Sequence, residues 1–520
     1  MLGRLGAWVD DHERTAFGTL VVFYLAVVLA QATLKLVWAD ELITFYISRQ
    51  PGLMGIWNAL KAGTDPNPPL IHILVKASTA YFGNNAVGMR VPAILCGLLA
   101  IGAMWWMLRR WVRPTFALAG VLAFMASRGF DYAYDARSYA PMMGFAMASL
   151  ALWIASGERT GWRRHVALAG MAAALALGIS SNYYCVLAFF PIAVGEIVAR
   201  RWRPAVWIAM AFASLPLLTY LPLIRHNIAE FGPHAWNRPQ ASMIAMSYLE
   251  LVEGIFWPVL GLAIWVAWRG RKKVSTEDTK VSQSKAEMAA VGVVLVYPFL
   301  GFAIAVSGAG MISPRCVAPV CCGVGLAAGL LGQRAFGNSR KSAMAIVLLL
   351  VFWVSTREWI CGNILLQQRR AFSILRMAAA KAGPDLILVS DSSFVLPFYF
   401  YSDEDVRRRI FFPINFDAIH RFEVEDSGEQ NLWAGRDGVF PFKIAQLRAG
   451  ATLRQGDVLV ARPDGWLAQT LKTGETGSEP IKFQQVYEPS DWYRVGGVHS
   501  PMGHWETRIL AATPASPHSK

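Results

Sequence analysis

Charge is scarce in this sequence. Asp, Glu, Lys and Arg make up 16% of its 520 residues, while 55% are hydrophobic and mean hydropathy is +0.36. Soluble domains carry about 25% charged and 45–50% apolar residues, so a purely soluble fold is excluded. Cysteine is sparse too. Cys96, Cys185, Cys316, Cys321, Cys322 and Cys361 all fall in or at the ends of apolar runs, and no C-x-x-C pair occurs. That excludes a thiol redox motif or a zinc ribbon and reads as buried free thiols. No internal repeat and no nucleotide-sugar fingerprint is present, and the sole low-complexity stretch is the polar loop 270–285.

What is abundant is apolar length. A bilayer core of about 30 Å needs roughly 20 apolar residues per helix. Runs near that standard lie at 15–36, 86–108, 114–128, 138–156, 165–181, 183–200, 203–224, 250–268, 287–307, 316–333 and 342–361. The net charge of +14 resides largely in the short connections "RRWVR" (109–113), "ERTGWRRH" (158–165), "RRWR" (200–203), 269–285 and "QRAFGNSRK" (333–341). Basic short loops face the cytoplasm, so the charge speaks for topology and against nucleic acid as a partner. The N-terminus is then cytoplasmic, and the odd number of spans carries everything after about residue 362 outside. The acids Asp10, Asp11 and Glu13 before the first run do not suit a cleaved signal peptide, so the first helix is read as retained.

Two domains are expected: a transmembrane module over 1–361 and an extracytoplasmic α/β domain over 362–520. The tail contains strand-like runs, "DLILVS" (385–390) and "GDVLVARP" (456–463), set between polar, turn-forming segments. With about 155 residues it can bury a core of its own.

The chemistry-bearing residues gather in the longer, outward connections. Asp40 and Glu41 in "WADELITFY" follow the first span. The segment after them suits helices lying in the interface. It leads to "TDPNPPLIHI" (64–73), with Asp65, Asn67 and a proline pair. A loop of nearly fifty residues is uncommon unless functional. The stretch "RGFDYAYDARSYAP" (128–141) carries Asp131, Asp135, Arg137 and Tyr139; a helix there would put Asp131, Asp135 and Tyr139 on one face. "GMISPRCVAP" (310–319) places Arg315 before the tenth run, and a guanidinium suits a phosphate through its fixed, permanently charged fork. "SSNYY" (180–184) and 225–240, with His226, His234 and Arg238, lie on the same side. Each of these also has an ordinary explanation as a solvated helix end, an aromatic belt or a snorkelling arginine. Their common side of the membrane is what suggests one site.

In their order and spacing, "DE" after the first span, "NPPL", "YAYDARSYA" and "SPRCVAP" resemble the GT-C glycosyltransferases. More narrowly they resemble the bacterial relatives of the protein O-mannosyltransferases and the lipid A aminoarabinose transferase, over roughly residues 15–335. The resemblance implies a GT-C-like polytopic fold and a polyprenyl-phosphate-linked sugar donor. It also implies inversion at the anomeric carbon on the outer face of a bacterial inner membrane. It assigns the base to Asp40, with Glu41 beside it. Asp135, Arg137 and Tyr139 match a motif commonly reading Glu-x-Arg-x-Tyr, with a shorter acid here. The late motif is often Arg-Tyr; here Arg315 is kept and Cys316 replaces the ring. Asn67 stands where relatives often carry Lys or His before the proline pair.

The expected function is therefore sugar transfer to a hydroxyl on a glycan, lipid or protein acceptor at the bilayer. Asp40, Glu41 and Asp135 are the expected catalytic acids. Arg137, Tyr139, Arg315, Asp65 and Asn67 are the expected substrate-binding residues. No metal site is assigned, although Asp40, Glu41 and Asp65 are carboxylates of the kind that hold Mg2+ or Mn2+ in an optional divalent-cation role. The alternatives are a transporter or flippase of lipid-linked saccharides, a polysaccharide polymerase or ligase, and a non-catalytic scaffold. Transporters place charges at mid-membrane and show repeat symmetry, and neither is evident here.

Overall fold

The computed structural model describes residues 1–200, 202–231, 237–269, 284–382, 385–423, 426–447, 457–462, 465–473, 483–487 and 508–512. Most of the polar loop 269–285, and His234 of the 225–240 segment, lie outside the described residues. The chain forms two compact units. The first comprises residues 1–32, 67–222 and 237–360; the second comprises 33–66, 223–236 and 361–520.

The first unit is helical. Among the described residues, eight helices of the chain are long and apolar enough to cross a membrane. The pair Lys285–Leu295 and Tyr297–Gly308, bent by 59°, makes a ninth if counted as one span. Two shorter apolar helices, Pro114–Met125 and Tyr183–Ala199, coincide with the two remaining apolar runs. At 1.5 Å per residue, a helix the length of Pro114–Met125 falls well short of a bilayer core, yet all its residues are buried. It sits inside the bundle. Small residues make that possible. A Cβ on Gly120 would come within 2.7 Å of the Gly325 carbonyl, and one on Gly329 within 3.0 Å of the Phe116 carbonyl. Gly325 and Gly329 are spaced for the close backbone approach that drives helix pairing in lipid.

The second unit is α/β. Its six strands are β1 (Ile387–Val389), β2 (Ile410–Ile414), β3 (Lys443–Gln446), β4 (Val458–Ala461), β5 (Phe483–Tyr487) and β6 (Arg508–Ala512). They are ordered β3-β2-β1-β4-β6-β5. The first four in that order run parallel, and β6 and β5 add antiparallel pairings. The apolar runs read from the sequence become β1 and β4, which pair directly, Ile387 against Val458. Fully buried strands of this kind are continuous rather than alternating in hydropathy, as "ILV" and "VLVA" are.

The long segment after the first apolar helix does not stand alone. Its helix Ala39–Ser48 packs within the second unit on helix Ser392–Tyr401. Phe45 meets Phe400 edge-on at 5.9 Å, and the Tyr401 hydroxyl accepts from the Val37 amide at 2.9 Å. Tyr46 meets Phe440 at 6.1 Å, and the Gln50 amide donates to the Gly438 carbonyl at 3.1 Å.

Candidate active site

The candidate residues divide between the units. Asp40, Glu41 and Asp65 belong to the second; Asn67, Asp135, Arg137, Tyr139 and Arg315 belong to the first.

In the second unit, Asp40 and Glu41 occupy the first turn of helix Ala39–Ser48, where the exposed N–H groups and the helix dipole favour negative charge. The neighbours differ in setting. Glu41 is fully buried and one oxygen accepts from the Trp38 amide at 3.4 Å, bracing the helix start; Asp40 is half-buried. Asp65 is buried in the following loop. That loop turns at Gly63 (φ +90°), where a side chain would crowd His226 Nε2, and the Asn227 amide donates to the Pro66 carbonyl at 3.2 Å. Among the described residues no group of three or more His, Cys, Asp or Glu is placed to hold a metal ion.

In the first unit, the segment before helix Tyr139–Glu158 departs from the expected single helix. Arg128–Tyr134 is a 3-10 turn and Asp135 is extended (φ −127°, ψ 122°). Asp131, Asp135 and Tyr139 consequently do not share a helical face. The reasons are tertiary. Gly129 is pressed against Cys321, where a Cβ would lie 2.6 Å from the Cys321 Cβ. Asp131 is drawn to Arg357 at 2.6 Å, and Arg128 to Glu250 at 2.9 Å. Asp135 and Arg137 are both buried on the extended link.

The same link joins the proline-rich loop. Ser138 donates to Asn67 Oδ1 at 2.8 Å and accepts from the Asn182 amide at 3.0 Å. Asn182 in turn caps the turn at Tyr183–Ala188 by accepting from the Tyr184 amide. Tyr184 donates to the Met311 carbonyl, and the Ile312 amide donates to the Asn237 carbonyl at 2.8 Å. These bonds fix the approach to the 3-10 turn Pro314–Val317, which carries Arg315. The Arg315 guanidinium lies over the Tyr139 ring, 5.7 Å from its centroid, and Tyr132 packs against Tyr139 at 4.9 Å. The ring that position 316 lacks is thus supplied from another helix, a cation–π contact that orients the guanidinium. Ser138, Tyr132 and Arg357 were not singled out from sequence. Ser138 and Tyr132 lie inside the 128–141 motif, and nothing local marks Arg357.

Two kinds of known protein are similar to this chain. The model of the dolichyl-phosphate-mannose-protein mannosyltransferase family matches residues 66–226, the stretch that holds Asn67 and the 128–141 motif. The structure of ArnT from Cupriavidus metallidurans in the apo state aligns over 97% of this chain and 100% of that one, at TM-score 0.57 and 15% identity. The same protein bound to undecaprenyl phosphate aligns over 96% and 99%, at 0.58 and 15%. Over residues 66–226 the chain is thus similar to that mannosyltransferase family, and over nearly its whole length it shares the fold of ArnT. No curated protein sequence matches it significantly. With eight helices among the described residues long and apolar enough to cross a bilayer, the chain is a multi-pass membrane protein.

Proposed function

We propose that this chain is an inverting glycosyltransferase of the GT-C type. It moves a sugar from a polyprenyl-phosphate-linked donor to a hydroxyl acceptor on the outer face of a bacterial inner membrane, with its N-terminus cytoplasmic and the α/β unit outside. The observation that carries the reading is the Arg315–Tyr139 contact beside buried Arg137 and Asp135. It gives the fold a held, permanently charged group suited to a phosphate. The ArnT of C. metallidurans, which shares the fold, binds undecaprenyl phosphate, and that supports the donor class.

In the proposed reaction Asp40 accepts the proton of the acceptor hydroxyl. The acceptor oxygen attacks the anomeric carbon from the face opposite the phosphate and forms the new glycosidic bond. The bond from that carbon to the phosphate oxygen breaks, and its electron pair leaves with the polyprenyl phosphate. Arg315 and Arg137 stabilise the charge gathering on that oxygen, the larger electrostatic part of such a step. Asp135 orients Arg137 or the sugar. Asn67, held through Ser138, and Asp65 line the acceptor or donor approach, and Glu41 fixes the helix that presents Asp40. No step is routed through a metal ion.

The test is incubation of the purified full chain with a labelled polyprenyl-phosphate sugar and a hydroxyl acceptor. Transfer with inverted anomeric configuration supports the reading. Passage of the intact labelled lipid between leaflets without bond cleavage would falsify it and favour a carrier.

A further inference from the structure

Tyr132 carries a hydroxyl that the reaction above leaves unused. Its side chain is 6% exposed, and its oxygen is enclosed with no hydrogen-bond partner among the described residues. Buried polar groups in native proteins are nearly always partnered, and each exception needs a reason. The surroundings supply one. Tyr132 packs on Tyr139, whose ring lies under the Arg315 guanidinium. Both Arg128 and Arg315 act electrostatically on the phenol. Burial pushes its pKa well above the ordinary phenol value, so the group stays an O–H donor at physiological pH. A dry donor next to guanidinium groups is complementary to an anionic oxygen. A cation would be repelled there, and an apolar group would leave the hydroxyl unsatisfied.

We propose that the Tyr132 hydroxyl is a donor-binding group that hydrogen-bonds a phosphate oxygen of the polyprenyl-phosphate donor beside Arg315. The inference rests on the donor class proposed above. It adds a neutral, directional contact to the charged ones, and it gives the buried hydroxyl the partner that the described residues do not supply. Stability is given up for function at such positions.

Tyr132→Phe tests it, because the ring packing is kept and the hydroxyl alone is lost. The full-length protein in nanodiscs is titrated with a short-chain polyprenyl phosphate and, separately, with the matching polyprenol. The wild type is expected to bind the phosphate more tightly than the alcohol. Y132F is expected to bind the phosphate about ten-fold or more less tightly, the size of a lost hydrogen bond to a charged group. Its polyprenol affinity should be unchanged, and its melting temperature without ligand equal or higher. Unchanged phosphate affinity overturns the inference, whatever happens to the melting temperature. If stability and affinity both drop, intact polyprenol binding upholds the inference and a parallel loss overturns it. A wild type that does not distinguish phosphate from alcohol removes the donor class itself, and the inference with it.

Discussion

In the helical unit, Glu196 is buried against Arg203 and the indole N–H of Trp153, while Asp131 and Glu358 share the guanidinium of Arg357. In the α/β unit, Glu429 is equally buried, but its charged neighbours are the carboxylates Glu423 and Asp391. These buried acids are held by different means. A helix bundle of this composition offers an isolated charge neither water nor mobile counterions, so Glu196 and Asp131 are matched by cations from other segments and Glu358 by its chain neighbour Arg357. The α/β unit can keep an acid neutral by leaving its proton in place. Asp40 and Glu41 add a third case inside the α/β unit: adjacent acids on one turn, one fully enclosed and one half-buried. If enclosure marks a structural acid and partial exposure a chemical one, the three cases separate by experiment.

The largest expected effect comes from that adjacent pair. Asp40→Asn should lower the transfer rate by about 10²–10⁴, the usual cost of removing an essential base, with donor KM nearly unchanged. Glu41→Gln should leave the rate within a few-fold and lower the melting temperature, since its carboxylate braces the helix start at the Trp38 amide. Steady-state kinetics on both variants, with melting curves, decides between the roles. Equal rate losses in the two would erase the distinction between them.

The bundle's pairing is tested next. Arg357→Gln leaves Asp131 and Glu358 without their shared cation, and breaking a buried pair from one side typically costs about 3–5 kcal/mol. The triple variant Arg357→Met with Asp131→Leu and Glu358→Gln removes the charge from all three partners and should recover most of that loss. Thermal unfolding of the full chain in detergent reads the cycle. A single variant as stable as wild type would mean that water, rather than Arg357, compensates the acids.

How much of this was visible in the sequence follows from how local each cause is. Apolar length is local, so the eleven runs reappear as helices, and the short β-branched runs at 385–390 and 456–463 reappear as paired strands. The last long helix, Arg340–Ala382, outruns its apolar stretch because "QQRRAFSILRM" is polar yet made largely of helix formers. The 3-10 turn at Arg128–Tyr134 was not legible, since the contacts that impose it, Gly129 on Cys321 and Asp131 on Arg357, come from residues some 190 and 226 positions away. The packing of helix Ala39–Ser48 on Ser392–Tyr401 was hidden for the same reason. Within the candidate site, residue types and order could be read from motifs. The placement of Arg315 over Tyr139, and the Asn67–Ser138–Asn182 relay, needed coordinates.

The remaining effect leaves transfer untouched and is graded by pH. Burial, and then repulsion from Glu423, pushes the Glu429 carboxyl up to about 8, above its ordinary value of 4.5. The folded unit therefore keeps a proton that the unfolded chain releases near 4.5. Between those values the native state binds more protons than the unfolded one, so stability is fully present below about pH 4.5. It falls by roughly 1.4 kcal/mol per pH unit as pH rises towards 8, and flattens beyond. Glu429→Gln keeps the neutral shape and removes the titration, so its stability should be nearly level over that window and exceed the wild type's above pH 8. Hydrogen exchange of β1 and β2 in the intact chain, compared at pH 5, 6.5 and 8, measures this without requiring the bundle to unfold. Exchange of Phe189–Ala199 in the helical unit, followed at the same pH values, is the reference within the chain. A parallel pH slope in both units, or a slope that persists in Glu429→Gln, would mean that the trend does not come from the proton held on Glu429.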